Sequence, residues 1–381
     1  MKVPLSKAPR RLLILGAAAL AVSLAVWGCG KSSAPLGPGD GGSTVSALDA
    51  RNPAIQAAMR IQDRHTPDLM HLDGVVGTAT GLDDQGRAAI KVYTERPLAY
   101  GLLPAELEGL RVVEEVTGKI VAVKGPPGGG GGGGGSDPKV LQSPPIQLGT
   151  SGGPAGDLAN GFCCGGTLGS LVQVGNTQYI LSNSHVFAGD VVNGGNGSTS
   201  SIGDDMIQPG LIDVGCNAGN AQVVADLSSL STLYPPNSTP NVDAAIAQVR
   251  SGMVRTDGAI LNIGTLSSSI VGASVGQGVK KMGRTTGLSR SSVDGLNATI
   301  NVGYSDECAG GSFTKQFTGQ IIIKNKGSRF LNSGDSGSLM VEDVTSSPRA
   351  VGLLYAGSSS VAVANPIGDV LDHFNATMVG N

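Results

Sequence analysis

From Gly128 to Gly135 the chain is glycine alone, preceded by Gly125-Pro126-Pro127. Glycine loses the most backbone freedom on ordering and brings no side chain to bury, so no core can be built through such a stretch. The 381 residues therefore divide at a disordered joint, residues 125–137, into a leader domain at 47–124 and a larger body at 138–381. Length alone allows two domains with extensions.

The body reads as all-β. Short β-branched runs punctuated by glycine recur at Gly166 to Val174, Tyr179 to Leu181, Val242 to Val249, Val279 to Met282, Ala298 to Val302, Gln320 to Ile323 and Ala350 to Tyr355. With 60 glycines and 3% aromatic residues the chain suits a turn-rich β protein better than a helical one. The spacing predicts two small antiparallel barrels. A terminal helix is expected after Asn365-Pro366, with Asn365 as N-cap and Pro366 at the first helical position.

The leader reads as a small α+β domain. An amphipathic helix runs from Asn52-Pro53 toward Arg64, and strands at Gly74 to Leu82 and Ala88 to Thr94 flank the turn Asp83-Asp84-Gln85-Gly86. A short helix near Pro104 to Leu107 and strands at Leu110 to Val116 and Lys119 to Val123 complete it. It carries no catalytic constellation. Tethered by a short joint, it is expected to act on the body in cis.

Residues 1–28 read as a targeting segment. Lys2, Lys7, Arg10 and Arg11 precede an apolar stretch from Leu12 to Val26, too short for a membrane span. Val26-Trp27-Gly28-Cys29 resembles a bacterial lipoprotein processing site with Cys29 as the acylated residue; an ordinary secretory signal cut elsewhere is the other reading. Gly30 after the cysteine implies, by that resemblance, an outer-membrane lipoprotein of the cell envelope. Residues 29–46, rich in Gly, Ser and Pro, form a flexible tether.

Export places the remaining cysteines, Cys163, Cys164, Cys216 and Cys308, in an oxidising compartment. Two disulfides are expected. Adjacent strand residues face opposite ways, so Cys163 and Cys164 should take separate partners, with the pairing itself left open. No metal site is expected, because a vicinal pair and two distant cysteines do not match zinc-ligand spacing. A formal charge of −3 without a basic cluster gives no support to nucleic-acid binding.

Three short segments carry the chemistry. Gly334-Asp335-Ser336-Gly337-Ser338 can expose a hydroxyl on a tight turn with backbone N–H groups beside it. Tyr179-Ile180-Leu181-Ser182-Asn183-Ser184-His185 runs an apolar strand into the one histidine of the body that precedes that serine. Asp243 directly precedes the apolar run Ala244 to Val249, where a buried carboxylate can hold an imidazole. Asp190, Asp204, Asp205, Asp213, Asp226 and Asp257 compete, most of them in polar or glycine-rich surroundings that suit solvated turns.

The order His185, Asp243, Ser336 and the string around Ser336 resemble the chymotrypsin-like serine peptidases. Lys281-Met282-Gly283-Arg284-Thr285-Thr286-Gly287-Leu288 and Ile207-Gln208-Pro209-Gly210 resemble a bacterial trypsin-like branch similar to the plant narrow-leaf proteins. On residue grounds alone Gly283 to Gly287 is a hairpin opening the second barrel. The resemblance implies a double-barrel serine endopeptidase with catalytic His185, Asp243 and Ser336, acting on protein or peptide without a cofactor. It also implies an oxyanion hole from the N–H groups of Gly334 and Ser336, and substrate contacts from Phe330, Leu331, Tyr355, Ala356 and Gly357.

Two features depart from that pattern. No Ile-Val-Gly-Gly start precedes the body, so a new N-terminus to pair with Asp335 is not evident, and the pocket region Arg329 to Asn332 with Tyr355 and Val361 lacks an acid. A preference for Lys or Arg beside the cleaved bond is therefore not expected. A non-catalytic binding or scaffold protein on the same fold is the alternative.

Overall fold

The fold is that of a computed structural model describing residues 49–122, 136–159, 162–192, 198–239, 241–305, 309–327 and 329–381. The targeting segment, the tether, Cys29, the glycine run and Cys308 lie outside the described residues.

In the leader, helix α1 (Pro53–Met70) is followed by strands β1 (Val75–Leu82), β2 (Ala88–Thr94), β3 (Glu106–Leu107), β4 (Leu110–Val116) and β5 (Val121–Ala122). Asn52 caps α1 by accepting the Ala54 N–H at 2.9 Å. The helix runs past Arg64 and through Pro67, because Gln62, Thr66 and Leu69 are buried against the sheet and hold the extra turns in place. Residues 106–107 pair with Leu110 and Arg111 as a hairpin strand instead of the expected helix.

The first barrel uses β6 (Thr150–Pro154), β9 (Gly166–Leu168), β10 (Ser170–Val174), β11 (Thr177–Ser182), β12 (Asp205–Gln208), β13 (Gln222–Leu230) and β14 (Ala245–Val249). A small ribbon, β7 (Leu158–Ala159) with β8 (Phe162–Cys163), stands apart. The pairing order runs β10-β11-β14-β13-β12-β6-β9, and β9 and β10 are separated in sequence by Gly169 alone. A Cβ at Gly169 would lie 2.0 Å from the Gly337 carbonyl oxygen, so glycine there lets the barrel press on the Ser336 loop. Short helix α2 (Ser184–Phe187) leaves the end of β11. Full burial of Phe187 in the first-barrel core stabilises by about 1.5–3 kcal/mol.

The second barrel is a closed ring of β15 (Gly278–Gly283), β18 (Leu339–Glu342), β19 (Ala350–Gly357), β20 (Val361–Pro366), β17 (Phe313–Lys324) and β16 (Gly287–Tyr304), completed by β15–β16 pairing. Helix α3 (Ile367–Phe374) and strand β21 (Thr377–Met378) follow, the latter pairing with β10 of the first barrel. Asn365 does not cap α3, whose N-cap is Pro366 without a side-chain bond. It is buried between Asp243 and Gln320 instead.

The leader joins the second barrel's sheet. Strand β1 pairs antiparallel with β16, placing Gly77 opposite Ile300 and Thr80 opposite Leu296. Buried Gln62 of α1 donates to Thr78 Oγ1 and to the Asn297 carbonyl, both at 3.1 Å. Its Oε1 accepts from Asn297 Nδ2 at 2.9 Å. One continuous sheet thus carries leader and barrel.

Candidate active site

His185 sits in α2 at the end of an apolar strand and is 2% exposed. Its ring Nδ1 lies 2.5 Å from Asp243 Oδ2, and its backbone N–H donates to Asp243 Oδ1 at 3.1 Å. A carboxylate only accepts, so Nδ1 carries a proton, and the tautomer that suits this contact leaves Nε2 as the acceptor nitrogen. Nε2 is buried without a hydrogen-bond partner.

Asp243, fully buried just before β14, is fixed from several sides. Its N–H donates to Asn365 Oδ1 at 3.0 Å, and its carbonyl accepts from Asn183 Nδ2 at 2.7 Å. The Tyr304 hydroxyl, brought by β16, donates to Asp243 Oδ2 at 3.0 Å. The Tyr304 ring also meets the His185 imidazole edge to face at 5.9 Å and stacks on Phe313 at 4.7 Å. Burial, reinforced by the Asp243 charge, holds the Tyr304 phenol well above the ordinary tyrosine range.

Ser336 lies on the turn before β18 and is 3% exposed. The turn is clamped by both barrels. Thr167 of the first donates its hydroxyl to the Gly334 carbonyl at 2.9 Å and its N–H to the Ser336 carbonyl at 2.9 Å. Thr285 of the second donates its hydroxyl to the Ser333 carbonyl at 2.6 Å. Gly334 has φ +92°, a backbone state that L side chains rarely adopt. Among the described residues, neither the Gly334 nor the Ser336 N–H donates a hydrogen bond. Both donors on this turn are left without an acceptor.

Asp335 points the other way, into the protein. It accepts from the N–H groups of Thr285, Thr286 and Asn332 and from the Thr286 hydroxyl. The Lys281 ammonium stands 3.1 Å away, both side chains fully buried. Burial pushes that ammonium below the ordinary lysine range, against the pull of Asp335. Gly283 and Gly287 close the β15–β16 hairpin as expected, and the Arg284-Thr285-Thr286 turn between them is also the cradle of Asp335. Arg284, 1% exposed, makes a bidentate pair with Asp213 at 2.7 and 2.6 Å and so ties the cradle to the first barrel.

The structure brings His185 and Asp243 into direct contact but leaves Ser336 unbonded to the imidazole. Ser336 Oγ donates to the Tyr355 carbonyl at 3.2 Å instead. The two loops still converge at Gly166, where an added Cβ would stand 2.7 Å from Val186 Cγ2 and 3.0 Å from the Ser336 carbonyl oxygen.

A cavity of about 740 Å³ opens beside Ser336. Leu331, Ala356 and Gly357 line it, with Asn325, Arg329, Asn332 and Ser333. Phe330 and Tyr355 do not, because both rings are fully buried in the barrel core, Tyr355 packed on Phe317 at 5.0 Å. Val121 of the leader also lines the cavity. Asn365, Tyr304 and Val121 carry no sequence motif that marks them as site residues, since each arrives from a distant segment.

Cys163 is bonded to Cys216 with Cα atoms 5.5 Å apart, and Cys164 is separately disulfide-bonded. Among the described residues no group of three or more His, Cys, Asp or Glu is placed to hold a metal ion, and no helix is long and apolar enough to cross a membrane.

The sequence profile of the Nal1 C-terminal domain matches residues 240–365. No curated protein matches the chain. Among solved structures, a glutamic-acid-specific serine protease is similar at 18% identity and a TM-score of 0.40, over 61% of this chain and 100% of its own. Cellulomonas bogoriensis chymotrypsin is similar at 16% identity and 0.40, over 62% and 99%. Thermobifida fusca protease A is similar at 17% and 0.37, over 57% and 92%. The body is all-β, two antiparallel sheets that curl into barrels, the second of them a closed ring.

Proposed function

We propose that the protein is a serine endopeptidase. The observation that carries this reading is the buried His185–Asp243 pair with its free Nε2, in a body that also holds a serine turn with two unengaged N–H donors. Ser336 Oγ turns from the Tyr355 carbonyl toward Nε2, gives up its proton there and attacks the scissile carbonyl. The N–H groups of Gly334 and Ser336 receive the oxyanion. His185, held in its tautomer by Asp243, then protonates the leaving amine, and water releases the acyl group by the same route in reverse.

Substrates are proteins or peptides, and the chemistry draws on these side chains alone. The first 46 residues support an envelope location through a lipid on Cys29. A non-catalytic scaffold is the second reading, favoured by the bond from Ser336 to Tyr355 in place of His185. Hydrolysis of an unfolded protein by the purified chain and its Ser336→Ala variant separates the two. Loss of turnover by about 10⁴-fold or more in the variant is expected. Equal hydrolysis by both would overturn the reading.

A further inference from the structure

Strand β5 runs along the Gly357 end of β19. It pairs parallel with β16, with Val121 opposite Gly303 and Ala122 opposite Tyr304, and antiparallel with β19, with Val121 opposite Gly357. The Gly303 N–H donates to the Ile120 carbonyl at 2.9 Å. Ile120, 2% exposed, is sunk in the same apolar cluster as Tyr355, Ala356 and Phe317. Ala122 is 4% exposed.

The direction of the segment matters as much as its place. An antiparallel partner of β19 that has Val121 opposite Gly357 advances toward Ala356 and Tyr355, and the Tyr355 carbonyl is the acceptor of the Ser336 hydroxyl. A peptide laid along this edge in that sense is carried toward Ser336. An open edge of this kind binds extended chains through main-chain hydrogen bonds, while side-chain pockets select among them.

We propose that the Ala356–Gly357 edge, in the full chain, is occupied by a resident ligand of the chain's own, the segment Ile120–Ala122. The ligand class is an extended peptide with a large branched aliphatic residue in the Ile120 position, a β-branched residue facing Gly357 and a small residue after it. The consequence for turnover rests on the endopeptidase reading; the binding claim does not. Being tethered, the segment competes at an effective concentration on the order of millimolar or above, so the leader restrains the cleft it helps to wall.

The test uses the full chain, with a fluorescent peptide of residues 119–124 as the probe and anisotropy as the readout. Two variants loosen the resident strand by different means. Val121→Pro removes a backbone N–H from a paired residue, and Ile120→Ala shortens the buried anchor. Both are first checked for wild-type far-ultraviolet circular dichroism. Tenfold or greater tightening of probe binding in either folded variant is expected. Affinities within twofold of wild type, or no probe binding to any of the three proteins, would overturn the proposal. A fluorophosphonate reports separately on Ser336. If it labels none of the proteins while the probe binds the variants more tightly, the endopeptidase reading fails and the resident-strand proposal stands.

Discussion

Tyr304 and Asp243 belong to different barrels, and the hydroxyl of one donates to the carboxylate of the other at 3.0 Å. The oxygen that accepts it, Oδ2, also faces His185 Nδ1. Asp243 is thereby held by a phenol that burial keeps protonated at any working pH. A hydrogen bond to a charged group is worth about 1.5–3 kcal/mol. Tyr304→Phe should therefore lower kcat about tenfold or more with KM little changed, read by steady-state peptide hydrolysis. An unchanged kcat would leave Tyr304 as packing only.

Lys281 and Asp335 make the second testable pair. Lys281→Met leaves the Asp335 carboxylate buried with hydrogen bonds but no cation, and should destabilise the chain by about 3 kcal/mol or more, measured by urea unfolding. The pH dependence has a definite sign. The folded-state value is below the ordinary 10.5, so between the two values the folded chain holds fewer protons than the unfolded one and this group's contribution makes stability rise with pH. Labelling of Ser336 should fall over the same window as the ammonium facing Asp335 is neutralised. The difference in stability between wild type and Lys281→Met, followed up to pH 10.5, should show that upward slope; a flat difference would count against a buried, depressed lysine.

Much of this arrangement is legible in the sequence where the requirement is local. A serine on a tight turn needs its flanking glycines, and an apolar strand running into a histidine, as in Tyr179 to His185, declares itself by pattern. Long-range choices are not legible. Asn365 before a proline satisfies the local rule for a helix cap, yet its side chain meets Asp243, 122 residues away in sequence. The leader reads as a separate domain because nothing in Val75 to Leu82 announces that its strand edge will pair with β16. Residues 106–107 lack any signal that tells a helical turn from a two-residue hairpin strand. Nothing local to Lys281 announces that its ammonium will be buried against Asp335, from a distant segment.

The cavity beside Ser336 gives a prediction about substrate. Among the described residues no carboxylate lines it, whereas exposed Arg329 does. Peptides with Glu before the cleaved bond should be cut faster than the same peptides with Lys. Exposed charge pairs contribute about 0.2–1 kcal/mol, so the ratio should be roughly two- to fivefold in kcat/KM, and Arg329→Glu should invert it. A ratio unmoved by that variant would place the arginine outside the substrate's reach.

The central claim is that Ser336 is a nucleophile activated by His185. Its most direct measurement is the mass of the purified chain after reaction with a fluorophosphonate, with the adduct mapped by peptide mass spectrometry. A single adduct on Ser336, absent in Ser336→Ala and slowed by about three powers of ten or more in His185→Ala, is the predicted result. An unmodified wild-type chain, or an adduct formed as fast without His185, would contradict it.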